Sequence, residues 1–291
     1  MYAAISPSNQ ETTDTARIVV DGKARLSFAA EDDGVTRLED LYQRDPMRVL
    51  FPNTPKNDIS QAVIVTTSGG LVGGDQISME FESREAASAL VMGQSAEKIY
   101  RSAGEDVCID VNLKAGVDSW LEYLPQETIL FEGAQLRRKT TLDVSNGGRL
   151  LAGEIMVFGR LGHGERFTRG LAHDGWEVST DGRLVWADVL HLEDDIARVI
   201  DDPACFDGAV AAATAVYAGP DAEQYLETVR EIFNSRESTT LTAATFINGI
   251  LVMRWLGQDA FDLRNDFGFF WGAFRNQVEG LPNRLPRLWE M

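Results

Sequence analysis

The chain has 291 residues, 27 of them Lys or Arg and 45 Asp or Glu, for a formal charge of −18. That excess repels a phosphate polyanion, whose binders gather Lys and Arg to displace condensed counterions, so nucleic acid is excluded as an expected partner. With 44% hydrophobic and 25% charged residues, this is a globular chain able to bury a core in one or two domains, not a disordered acidic tail.

Residues 1–16 carry neither a basic start with an apolar run nor an Arg-rich presequence, and read as a disordered leader ahead of a single domain over 17–291. From Arg17 to about His191, short strands separated by turn signals predict an all-β body rather than alternating βα units. Ile77, Met79 and Phe81 alternate with Ser78, Glu80 and Glu82. Val107, Ile109, Val111 and Leu113 likewise alternate with Cys108, Asp110, Asn112 and Lys114, giving each strand one buried and one wet face. Ala62–Val65 and Gly148–Phe158 are more evenly apolar, as in strands covered on both faces. Glu80–Ala87, Val111–Gly116 and Leu142–Gly147 each run from a strand into a small-residue turn, spaced by about 30 residues. This echo fits the coils of a solenoid and fits ordinary hairpins as well.

After Glu193-Asp194-Asp195 the character changes, dividing a β-rich body (17–218) from a helical C-terminal part (219–291). Ala209–Ala218 is small and β-branched, as one more strand would be. Asp221 and Gln224 form a capping box for a helix whose apolar face carries Tyr225, Leu226, Val229, Ile232 and Phe233. Ala243–Leu256 reads as a second, buried helix stopped at Gly257, too short and too polar to span a bilayer. Phe267, Phe270, Trp271, Phe274 and Val278 predict a third, ending at Gly280. Its aromatic stripe is either core packed on the β body or a docking surface for a protein partner.

The motifs of common chemistries are missing. Ser68-Gly-Gly-Leu-Val-Gly-Gly-Asp75 is not a P-loop, because no Gly-Lys-Ser/Thr follows, and no helix opens after it. Its glycines permit positive φ and close backbone approach, with Asp75 either capping a tight connection or presented at the loop's end. No Gly-x-Ser-x-Gly elbow is present. Cys108 and Cys205 are isolated, so neither a disulfide scaffold nor a Cys zinc site is expected and a reducing cytoplasm fits. His163, His173 and His191 are too sparse for an imidazole cage, leaving oxygen ligands for any metal role. Carboxylate pairs such as Glu122 with Glu127, or Glu154 with Glu165, are inevitable among 45 acids and make no positive case for catalysis. Pro125–Phe131 and Gly159–Arg166 set charges among strands, where they need partners. Internal salt bridges such as Glu127 with Lys98 or Arg101 are one reading, and a polar channel or interface is the other.

Ser68–Asp75, Glu97-Lys-Ile-Tyr-Arg-Ser102, Trp120-Leu-Glu-Tyr-Leu-Pro-Gln-Glu-Thr-Ile-Leu-Phe131, Gly159-Arg160 with Gly164-Glu-Arg-Phe167, and Leu285-Pro-Arg-Leu-Trp289 occur in this order. Together they resemble the urease accessory protein D family (UreD, also called UreH), over a stretch from about Arg25 through Pro46–Pro52 to the C-terminus. The resemblance implies a mainly β fold, a superhelical, solenoid-like stack of short strands with C-terminal α-helices packed on it. It implies a non-enzymatic maturation factor that bridges apo-urease and the accessory protein UreF, which recruits the GTPase UreG. It also implies a tunnel for Ni(II), bound transiently and not as a resident cofactor. Weak oxygen ligands release Ni(II) where imidazoles and thiolates would hold it. Asp75, Glu127, Glu154 and Glu165 are the candidates for the path or its supporting shell, with Lys98, Arg101 and Arg160 balancing charge. The alternatives are a passive interaction module without a metal path, and a β-rich carboxylate-pair hydrolase.

Overall fold

The computed structural model describes residues 20–289, so the leader expected over 1–16 lies outside the described residues. Strand β1 (Asp21–Ala30) pairs with β2 (Thr36–Arg44), and β3 (Met47–Leu50) with β4 (Ser60–Thr66). The chain then coils. One turn comprises β5 (Gln76–Ser83), β6 (Ser88–Gly93) and β7 (Glu97–Ile99), and the next β8 (Val107–Ala115), β9 (Trp120–Leu124) and β10 (Thr128–Leu130). A third has β11 (Gln135–Val144) and β12 (Arg149–Phe158), before the hairpin β13 (Leu171–Thr180) and β14 (Arg183–Glu193).

Long strands go to one sheet, ordered β14-β13-β11-β8-β5-β1-β2, and the shorter ones mostly to a second. Coil stacks on coil in parallel: Gln76 faces Cys108 and Val107 faces Leu136, a repeat of about 30 residues. The solenoid is thus the architecture, and the echoed segments are its corresponding turns. The alternation in β8 is as expected, with Val107, Ile109, Val111 and Leu113 buried. Phe81, Leu113, Leu142 and Val178 occupy one register position and form a continuous buried column between the sheets.

Downstream lie α1 (Ile196–Asp201), β15 (Ala211–Ala218), α2 (Leu226–Asn234), β16 (Leu241–Ile247), β17 (Ile250–Gly257) and α3 (Ala260–Glu279). The strand expected over Ala209–Ala218 is β15, which pairs with β12. The helix expected over Ala243–Leu256 is instead the hairpin β16–β17, which extends the second sheet beyond β15. Asn248 and Gly249 turn it, with φ of 49° and 90°, the left-handed pair of a two-residue hairpin loop. Ile250, Leu251, Val252 and Met253 are all buried, and an apolar run covered on both faces does not separate strand from helix by its period. The expected capping box also fails. The Asp221 carboxylate accepts from Tyr217 Oη and from Arg149 Nε instead of a helix N–H, and a 3-10 turn precedes α2.

Helix α3 matches its expectation. Asp259 accepts from the N–H groups of Phe261 and Asp262 at 2.8 and 3.0 Å, and Gly280 closes the far end with φ 65°. Phe267, Phe270, Trp271 and Phe274 are buried, so the aromatic stripe is core against the second sheet, while Phe261 and Phe269 stay exposed. Close docking needs Gly153 in β12, where a Cβ would stand 2.5 Å from the Phe267 ring. A buried ionic tie anchors the helix. Arg275, fully buried, reaches Glu122 at 3.0 Å and Asp58 at 2.7 Å, and Trp120 and Trp271 donate their indole N–H groups to the same Glu122.

Removing one member of a buried ionic network leaves its partners charged and unpaired. Arg275→Met is therefore expected to cost about 3–5 kcal/mol, read as a lowered urea midpoint.

Candidate functional site

The glycine-rich loop sets the first wall of a cavity. Leu71 N–H donates to Lys98 O and Tyr100 N–H donates to Leu71 O, both at 2.8 Å, so the loop lies flat on the strand after β6. Gly70, at φ 142°, allows this contact, since a Cβ there would meet Lys98 O at 2.7 Å. Asp75 closes the loop: its carboxylate accepts from Val20 N–H at 3.1 Å and Val72 N–H at 2.9 Å.

Behind the loop, between the sheets, is a cavity of about 140 Å³. Its lining includes Ser68–Leu71 of the loop, Met79, Ile109 and Arg138 from the first sheet, Tyr123, Thr128 and Glu154 from the second, and Glu97, Lys98 and Gln126. Its charged end is built by register. Ile77, Ile109, Arg138 and Asp174 occupy one inward column across four strands, so the stacked coils set Arg138 beside Asp174. Arg138 Nε donates to Asp174 at 2.8 Å, its Nη1 lies 2.6 Å from Glu154 Oε2, and the same nitrogen donates to Thr128 Oγ1 at 2.9 Å.

The electrostatics follow from burial. Burial opposes the Arg138 charge, but Asp174 and Glu154 outweigh it and hold the guanidinium firmly protonated. Burial pushes the Glu154 carboxyl up to about 8, against the pull of Arg138. Glu97 is also raised by burial, despite the Thr66 hydroxyl that donates to it at 2.7 Å. Glu154 Oε1 has no hydrogen-bond partner although Glu154 is 4% exposed and lines the cavity. That oxygen is left for whatever occupies the cavity.

A family model described as UreD urease accessory protein matches residues 20–290. The chain belongs to the UreD family. It is similar to the urease accessory protein UreD of Magnetococcus marinus, 46% identical with 94% of each chain covered. The UreD of Xanthobacter autotrophicus is 38% identical, over 92% of this chain and 89% of its own. That of Azorhizobium caulinodans is 35% identical, over 93% and 96%.

Within this UreD-family fold the seven residues singled out from sequence do not converge. Glu154 and Lys98 line the cavity, and Asp75 ties the loop beside it. Glu127 turns away to pair with Arg264 of α3 at 2.6 Å, not with Lys98 or Arg101. Its neighbours Gln126 and Thr128 take the cavity side. Glu165 pairs with Arg160 and accepts from Glu132 N–H at 2.8 Å, and the Arg160 bond holds its carboxyl below the usual range. Arg160 also covers the Phe131 ring at 4.4 Å, and Arg101 Nε donates to Glu132 O, so these three form a surface knot outside the cavity lining.

Sequence reasoning missed Glu97, Arg138 and Asp174. The signal existed for the last two: in β11 the buried positions are Leu136, Arg138, Thr140, Leu142 and Val144, and in β13 Ala172, Asp174, Trp176 and Val178 alternate after a buried Leu171. A charge falling in the inward phase of each strand marks both residues. Among the described residues no helix is long and apolar enough to cross a membrane, and no three or more His, Cys, Asp or Glu residues converge on a metal cluster.

The Glu154 carboxyl gives a pH signature. Its folded value, about 8, lies above the ordinary 4.5 of the unfolded chain. Between these limits the native state holds a proton that the unfolded state lacks, so stability falls as pH rises. The expected slope is about −1.4 kcal/mol per pH unit for one proton. Glu154→Gln should lack this component when urea unfolding is compared at several pH values from 5 to 8.

Proposed function

We propose that this chain acts as a maturation scaffold for the nickel centre of urease, bridging apo-urease and UreF with its UreG-type GTPase. Ni(II) crosses the cavity between the sheets as cargo. The observation that carries this reading is the unpartnered Glu154 Oε1 at a cavity whose lining includes Glu97, Thr66, Gln126 and Thr128 and holds no Cys or His. Membership in the UreD family supports the setting.

The chemistry suits transfer rather than storage. Carboxylate, hydroxyl and amide oxygens bind a borderline ion less tightly than imidazole or thiolate does. Arg138, in contact with Glu154, opposes a second positive charge and shortens its stay. Glu154 and Glu97 are the acids on the path. Asp75 shapes its wall, whereas Glu127 and Glu165 hold the surrounding shell through Arg264 and Arg160. GTP chemistry is assigned to the partner, in keeping with the lack of a P-loop motif in this sequence.

Co-expression with the urease structural subunits and the other accessory proteins tests the reading. Omitting this chain should lower both urease activity and its nickel content. Glu154→Gln should lower nickel content several-fold while the assembly still co-purifies. Unchanged nickel in that intact assembly would leave a passive interaction module, and unchanged nickel without the chain would remove the maturation role altogether.

A further inference from the structure

On the outer face of the first sheet, register sets Cys108, Arg137, His173 and His191 side by side on β8, β11, β13 and β14. Two of the chain's three histidines therefore stand directly opposite each other on one hairpin. Their Nδ1 atoms are 3.1 Å apart, with the rings at 75° and the centroids separated by 5.3 Å. On the far side of the second ring, His191 Nε2 lies 3.2 Å from Glu193 Oε2.

The carboxylate decides the tautomer. By accepting at Oε2, Glu193 sets the proton of a neutral His191 on Nε2 and leaves Nδ1 as a lone pair aimed at His173. Without an ion, His173 satisfies that lone pair by donating from its own Nδ1. Its Nε2 stands in an outer groove, 3.8 Å from where a Cβ on Gly175 would be. Two imidazole nitrogens on adjacent positions of one metal, each bonded at about 2.0–2.1 Å, stand about 2.9–3.4 Å apart. The observed 3.1 Å lies within this interval. Only a swing of the rings is needed to bring both lone pairs onto one point. A carboxylate behind a ligating histidine is the usual outer support of such a site.

We propose that His173 and His191 bind one divalent ion of the Zn(II) and Ni(II) class through both Nδ1 atoms, with Glu193 orienting His191. Binding moves the His173 proton from Nδ1 to Nε2 and releases none. Water completes the coordination shell, since no cluster of three protein ligands exists among the described residues. Arg137, the cation beside His173, is engaged by Asp106. His173 and Arg138 occupy opposite faces of the same sheet, so this site is separate from the cavity and does not depend on the proposed passage.

The test uses the untagged full chain with ¹⁵N-labelled histidine, titrated with Zn(II). One equivalent should shift the Nδ1 resonances of His173 and His191 together and convert His173 from the Nδ1–H to the Nε2–H pattern. His163→Ala should bind alike. His173→Ala and His191→Ala should each lose the response, and Glu193→Gln should weaken it about 10–100-fold. Ions taken up elsewhere do not alter these two rings. Unmoved His173 and His191 resonances at several equivalents, or equal affinity after His173→Ala, would overturn the proposal.

Discussion

Parallel register between successive coils is the constraint on which the rest of the structure depends. Each inward position faces its counterpart one coil away, so a column is either apolar throughout or must carry its own charge compensation. Phe81, Leu113, Leu142 and Val178 are the apolar solution. Ile77, Ile109, Arg138 and Asp174 are the other, in which the column changes from aliphatic to ionic halfway along. A one-residue slip would send Arg138 to solvent and Arg137 into the core. The same rule, applied to the outer face, makes His173 and His191 neighbours. Two polar sites of different chemistry thus follow from one geometric repeat.

The second dependence is on closure by the C-terminal part. Helix α3 packs aromatic residues onto the second sheet, but its orientation is fixed by polar contacts at two places. Arg275 reaches Glu122 in β9 and Asp58 before β4. Arg264 pairs with Glu127, donates to Gln126 Oε1 at 2.8 Å, and stacks its guanidinium 4.2 Å from the centre of the Trp289 ring. Trp289 in turn donates to Pro125 O. Gln126 also lines the cavity, so α3 and the chain end are coupled to the cavity wall through one corner. The Pro125–Phe131 segment therefore serves two masters: Pro125, Gln126 and Thr128 line the cavity, while Gln126 and Glu127 hold Arg264 of α3.

Much of this was legible in the sequence, and what was not has physical causes. The strands of the body, the repeat of about 30 residues, and the aromatic period and Gly280 stop of α3 carry local signals that tertiary structure left intact. The Ala243–Leu256 segment was misread because burial on both faces erases the period of two. The Asn248-Gly249 pair within it was the local sign of a hairpin, outvoted by the apolar run. Asp221 was misread for a different reason: a carboxylate can cap a helix or bind a distant Arg, and Arg149, 72 residues away, has no local signature. Two of the acids singled out by motif are likewise held by arginines. Glu127 and Glu165 found Arg partners, whereas the partner of Glu154, Arg138, was recognisable only once strand phase was counted.

The charge of −18 acquires a narrower meaning from this arrangement. It does not describe the cavity, whose lining holds Glu97 and Glu154 against Lys98 and Arg138. Inside, burial favours the neutral form of Glu154 and Glu97 while Arg138 stays charged, so the acidity is expressed outside, where the proposed cargo first meets it. The outer field raises the local concentration of a divalent cation within about a Debye length, 8–10 Å at ordinary ionic strength. The interior gives it single oxygen contacts beside a fixed guanidinium. An interior of uncompensated acids would have made a deep well, and departure from it would be slow. Placing Arg138 against Glu154 makes the well shallow, which suits the transient passage proposed above.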